Sequence, residues 1–118
     1  MRNVTSLLLV STFLFLSQPV HADVSAITGA GALQCGEFLA DLERVGGEAE
    51  IVNMSWMQGY LTGKNIARGA AGLPFLDLTG PEGQFRYVKN YCEENPLKIV
   101  AFGVENLWQE LLKQQILE

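Results

Sequence analysis

Few side chains in this 118-residue sequence could do chemistry. The single histidine is His21 and the two cysteines are Cys35 and Cys92. Beyond residue 22 the serines are Ser25 and Ser55, neither of them in a Gly-x-Ser-x-Gly elbow. Paired carboxylates for acid–base work exist at Glu37/Asp41 and at Glu93/Glu94, but on helices such pairs read as solvated surface charge. If His21 is lost in processing, no Ser-His-Asp or Cys-His site can be assembled. A zinc site would then need two cysteines and carboxylates alone. The chain is therefore expected to be no enzyme, with no catalytic residues, no metal and no cofactor. Asn53-Met54-Ser55 matches a glycosylation acceptor triplet inside a helical pattern and carries no weight.

The amino terminus reads as a processing segment. Residues 1–22, MRNVTSLLLVSTFLFLSQPVHA, have a basic start at Arg2, an apolar run from Leu7 to Leu16, a breaker at Pro19 and the small residues Val20 and Ala22 before Asp23. This is the pattern of a cleaved secretory signal peptide. The competing reading, an uncleaved anchor, suffers from an apolar run about half the length of a bilayer span. Residues 23–118 are then one exported domain, with no stable membrane insertion after cleavage and too short for a second domain. In an exported chain an even cysteine count favours one Cys35–Cys92 disulfide, the alternative being two free buried thiols. No Cys-x-x-Cys redox pair is present. The net charge of −5, with no block of Lys or Arg, argues against a nucleic-acid partner.

Helical spacing positions these residues. Leu33, Cys35, Phe38, Leu39, Leu42 and Val45 make one face of a first helix, over Ala32–Arg44, that Gly46-Gly47 ends. Glu48–Gly63 reads as a second helix with Ile51, Val52, Trp56, Met57 and Tyr60 apolar. In it Gly59 and Gly63 either admit another helix backbone or mark a cap. Residues 64–80 read as a long connection from which Leu73, Phe75, Leu76 and Leu78 dock on the core. Pro81 opens a third helix with the stripe Phe85, Val88, Tyr91 and Cys92. Pro96 opens a fourth, running to about Leu117, with Leu97, Val100, Ala101, Val104, Leu107, Trp108, Leu111 and Leu112 as its stripe. The fold class is all-α: a small four-helix, orthogonal or bundle-like domain stapled by one disulfide between its first and third helices. The candidate interaction surface is Trp56 and Tyr60 with Leu73 and Phe75 of the connection, because aromatic residues beside a long loop suit an interface. The alternative places Trp56 and Tyr60 in the core.

Cys35-Gly36-Glu37-Phe38-Leu39, the second cysteine closing Val88-Lys89-Asn90-Tyr91-Cys92, and the tryptophan of Asn106-Leu107-Trp108-Gln109-Glu110 together resemble the HdeA/HdeB family of acid-stress chaperones over residues 33–113. The resemblance implies a small periplasmic helical protein, a homodimer at neutral pH, that binds denatured client proteins in acid. Gly59-Tyr60-Leu61-Thr62-Gly63 is also similar to a stretch of the Tai-type periplasmic immunity proteins, which neutralise secreted cell-wall amidases. That family usually carries additional cysteines, so the single pair here favours the first resemblance.

Overall fold

A computed structural model of the chain describes residues 26–117. The signal-peptide reading of residues 1–22 lies outside them. Among the described residues a 3-10 turn, Gly29–Ala32, precedes four α-helices: α1 Cys35–Val45, α2 Gly47–Ala70, α3 Pro81–Glu94 and α4 Val100–Ile116. The all-α expectation holds. Cys35 and Cys92 form a disulfide that joins the start of α1 to the end of α3, with both residues fully buried.

Local chemistry accounts for three helix ends. Gly46 takes φ +58°, which ends α1 and starts α2 in a single residue, and Gly80 takes φ +82° just before Pro81 at the head of α3. The core gathers Phe38, Met57, Leu61, Leu76, Phe85, Val88, Val100, Val104, Leu107 and Trp108 around the disulfide. Phe38 and Phe85 meet edge to face at 5.8 Å. Trp108 is core, as its stripe predicts.

Four expectations are corrected. First, α1 starts at Cys35 rather than Ala32 and α4 at Val100 rather than Pro96, and one set of hydrogen bonds explains both. Cys35 N–H donates to Lys98 O at 2.7 Å, Gly36 N–H to Pro96 O at 3.0 Å, and Val100 N–H to Leu33 O at 3.0 Å. The 96–99 segment thus caps the free amides of α1 with carbonyls that a longer α4 would have kept for itself. Leu97, expected in the apolar stripe, is 85% exposed as a result.

Second, α2 runs seven residues past Gly63 to Ala70, so the connection is residues 71–80 rather than 64–80. Third, Gly59 and Gly63 neither cap the helix nor admit a neighbour, since a Cβ at either would meet nothing within 4 Å among the described residues. The close approach occurs instead at Gly103 of α4, where a Cβ would lie 2.8 Å from the Tyr91 ring and 3.2 Å from Val88. Fourth, the buried face of α2 is Ala49, Asn53, Met57 and Leu61, leaving Ile51 67% and Val52 60% exposed. Asn53 is buried, its amide donating to Ala49 O at 2.8 Å, so the acceptor residue of the glycosylation triplet is closed inside the fold.

Candidate interaction surface

The four residues expected to form one surface fall in two regions. Trp56 lies about 20 Å along α2 from Gly69, the point where Phe75 packs, at 1.5 Å per residue. Both Trp56 and Tyr60 are half-buried, whereas Leu73 and Phe75 are 51% and 65% exposed.

The first region is a seam between α2, α4 and the 3-10 turn. The Trp56 and Tyr60 rings stack at 5.3 Å, with 21° between their planes. The indole N–H of Trp56 donates to Thr28 O at 2.9 Å. Gly31 lies flat on that ring, where a Cβ would come within 2.0 Å of it. On the other side, Tyr60 Oη donates to Glu105 of α4 at 2.9 Å, and Lys64 makes an ion pair with the same carboxylate oxygen. Gln109 donates to the second oxygen at 3.0 Å. The Lys64 ammonium also sits 5.2 Å from the Trp108 ring centroid and 5.7 Å from that of Tyr60, within cation–π range.

Glu105 is thus the polar hub of the seam. Burial works to raise its carboxyl, but hydrogen bonds from Lys64, Gln109 and Tyr60, with the charge of Lys64, outweigh that and hold it below the ordinary glutamate range. Burial, the hydrogen bond to Glu105 and the charge of that carboxylate push the Tyr60 phenol up.

The second region is the extended strap 71–80 at the far end of α2. Asn65 pairs with it as a neighbouring strand would: its amide donates to Leu76 O at 2.9 Å and its carbonyl accepts from Leu76 N–H at 2.8 Å. Arg68 Nε donates to Pro74 O at 2.9 Å, and Gln115 Nε2 of α4 donates to Phe75 O at 3.4 Å. Leu76 is buried and Leu78 half-buried, so of the four apolar residues expected to dock only these two do so. The Phe75 ring covers Gly69, where a Cβ would lie 2.5 Å from it. Buried Gln84 of α3 ties the strap's far end, donating to Thr79 O at 3.2 Å and accepting from Gln58 at 2.7 Å. Between strap and α4 lies an open pocket of about 420 Å³, lined by Phe75, Leu76, Asp77, Thr79, Leu111, Gln114 and Gln115. Asp77 accepts from Thr79 N–H at 2.8 Å, and that bond holds its carboxyl low.

Three of the four carboxylates considered for acid–base work have local partners. Glu37 caps α1 by accepting from Gln34 N–H, Asp41 pairs with Arg44 at 2.7 Å, and Glu93 with Lys89 at 2.9 Å. Among the described residues no group of three or more His, Cys, Asp or Glu converges as a metal site would require. Nor is any helix of these residues long and apolar enough to cross a membrane.

Sequence reasoning missed Lys64, Asn65 and Arg68 because it ended α2 at Gly63. The available signal was the four-residue spacing Tyr60, Lys64, Arg68, one continuing helical face. A buried disulfide fits export to an oxidising compartment. No family model matches the chain, and neither the curated proteins nor the solved structures contain a match to it.

Proposed function

We propose that the protein is an exported, periplasmic protein-binding domain that takes up denatured clients when acid loosens the seam between α2 and α4. The observation that supports this reading is the convergence of Tyr60, Lys64 and Gln109 on the Glu105 carboxylate. As pH falls through the lowered pKa of Glu105, its charge is lost and with it the ion pair to Lys64. Thirteen acidic residues outnumber eight basic ones, so full protonation of the carboxylates turns the net charge from negative to positive and sets the helices repelling one another. Met57 and Leu61 of α2 and Trp108 of α4, buried at neutral pH, are the apolar surface that would meet a client. The resemblance to the acid-stress chaperones of the HdeA/HdeB family points the same way.

The test is light scattering of an acid-denatured client with the oxidised protein, at a pH of about 2–3 and at pH 7. Suppression of aggregation in acid alone, accompanied by loss of near-ultraviolet circular dichroism, is expected. Absence of suppression at several-fold molar excess overturns the reading.

One observation favours a second reading, a periplasmic immunity or inhibitor protein that binds a secreted cell-wall hydrolase. Leu73 and Phe75 are exposed on a strap fixed by Asn65, Arg68 and Gln115. A rigid apolar projection beside a pocket suits a specific, preorganised partner.

A further inference from the structure

The pocket between the strap 71–80 and α4 is lined by one anion and no cation. The anion is Asp77, with one carboxylate oxygen taken by Thr79 N–H. Among the described residues the ion pairs are Asp41–Arg44, Lys64–Glu105, Lys89–Glu93 and Lys113–Glu110, so Asp77 has no cationic partner. Arg68 is engaged by Pro74 O and Gln115 Oε1 and does not line the pocket. The Gln114 side chain, also in the lining, makes no hydrogen bond among the described residues. The rest of the wall is apolar: Leu76 is buried, Leu111 half-buried and the Phe75 ring exposed. At about 420 Å³ the space falls within the range of small-ligand sites, about 300–1,000 Å³.

The lining is held in place by bonds that no occupant has to make. Asn65 grips Leu76 at both its N–H and its C=O, Gln115 donates to Phe75 O, and Gln84 donates to Thr79 O. The Phe75 ring is seated on Gly69, where a Cβ would lie 2.5 Å from it. Such a site asks for an apolar stem to cover Leu76 and Leu111, a positive head for Asp77, a flat face for the Phe75 ring and a donor for the Gln114 carbonyl. An arginine side chain has all four: a three-carbon stem beneath a planar guanidinium that is always charged, stacks on aromatic faces and carries five N–H donors. A lysine ammonium would meet Asp77 but offers the ring no flat face.

We infer that the strap pocket receives an arginine side chain of a partner protein, with the guanidinium between the Asp77 carboxylate and the Phe75 ring. This deepens the second reading above, in which the strap meets a protein partner, and rests on it. Charge complementarity selects the occupant: an unpaired carboxylate lines the pocket, and thirteen acidic residues against eight basic ones draw a basic partner toward the chain. Leu73 and Phe75, exposed on the strap, supply the apolar surround in which an arginine anchor is strongest.

The probe is N-acetyl-L-arginine methylamide, titrated at pH 7 into the full oxidised chain and followed by the side-chain amide resonances of Gln114 and Gln115 and the backbone amides of Asp77 and Thr79. Saturable shifts are expected there and not at the Gln109 side chain in the seam. The citrulline counterpart, of the same shape without the charge, should bind about fivefold more weakly. Asp77→Asn keeps an oxygen for Thr79 N–H but loses the charge, and should weaken the arginine probe by about the same factor while amide exchange at Leu76 stays as in wild type. Asp41→Asn removes one charge at an ion pair on α1 and should bind as wild type. Phe75→Leu keeps apolar bulk, loses the ring and should cost about threefold. Should Asp77→Asn disturb the strap, the comparison of arginine and citrulline probes on wild type still decides the role of charge. Equal binding of the two probes overturns the inference, as does an equal loss in Asp77→Asn and Asp41→Asn. Free L-arginine bound more than about tenfold tighter than the capped residue overturns the assignment to a protein side chain. A concentration-dependent wild-type dimer that Asp77→Asn abolishes overturns the assignment to a different protein. A secreted cell-wall hydrolase bound equally by wild type and Asp77→Asn overturns the inference and leaves the second reading standing. Uptake of the arginine probe by a chain that binds no such hydrolase upholds the pocket and removes the hydrolase as its partner.

Discussion

The Trp56–Glu105 seam and the strap 71–80 both join α2 to α4, yet they are held by different chemistry. The seam depends on a carboxylate, an ammonium and three aromatic rings. Neutral amides hold the strap: both ends of the Asn65 side chain grip Leu76, Gln115 reaches Phe75, and Gln84 reaches Thr79. Arg68, which stays charged across the whole accessible pH range, supplies a further side-chain bond. The seam thus joins α2 to α4 through a titrating carboxylate, whereas the strap's carboxylate, Asp77, bonds only within the strap. On the proposed reading, acid loosens the seam while the side chains that tie the strap to the helices keep their charge state.

The largest expected effect tests whether the two regions share one core. Replacing both cysteines, Cys35→Ser with Cys92→Ser, should lower stability by about 2–5 kcal/mol, because the crosslink spans 57 residues of sequence. Denaturant unfolding should show Trp56 and the strap lost in one transition. Two separate transitions would mean that seam and strap belong to different cooperative units.

Asn65→Ala comes next. It leaves the N–H and C=O of buried Leu76 without their side-chain partner, at a cost of about 1–3 kcal/mol. The loss should be the same at pH 7 and pH 5, since nothing in that contact titrates between them. Amide exchange at Leu76 should accelerate while the Trp56 indole resonance stays in place. A loss that grows on acidification would break the contrast between the regions.

Glu105→Gln should have the smallest effect, under about 1 kcal/mol at neutral pH, because the Lys64–Glu105 pair is partly solvated. Its value lies in the sign. Glu105 has a lowered pKa in the folded protein, so its contribution is present above the unfolded value of about 4.3 and disappears as pH falls through the folded one. Urea midpoints of wild type and variant should differ at pH 7 and converge in acid. A difference that persists undiminished well below the ordinary glutamate range would remove Glu105 from the acid response.

Much of the frame could be read directly along the chain. Gly46 and the Gly80-Pro81 pair mark helix ends because only certain residues tolerate those dihedral angles, which is a local property. Two cysteines in a chain expected to be exported pointed to their bond for an equally simple reason. The α2 extension was harder, since Gly63 and Gly69 lower helix propensity by about 1 kcal/mol each and suggest an end. Packing overrode them: Asn65, Arg68 and Gly69 all contact the strap, and those contacts exist only once the strap has folded back.

The site divides along the same line. Trp56, Tyr60, Leu73 and Phe75 could be singled out by type, but not their distribution over two regions. Glu105 looks like any surface glutamate in the sequence, and its partners Tyr60 and Lys64 lie 45 and 41 residues away. The first turn of α1 was misjudged for a related reason, as its amides are satisfied by carbonyls at Pro96 and Lys98. Sequence by itself determined the helical class, the helix ends at Gly46 and Gly80-Pro81 and the disulfide, each dictated by side-chain periodicity, backbone dihedral preference or redox context. Tertiary structure alone decided where α4 begins, which glycine lets two helices touch, and which carboxylate joins α2 to α4. Those outcomes depend on hydrogen bonds and close contacts between segments far apart in the chain, and no local pattern encodes them.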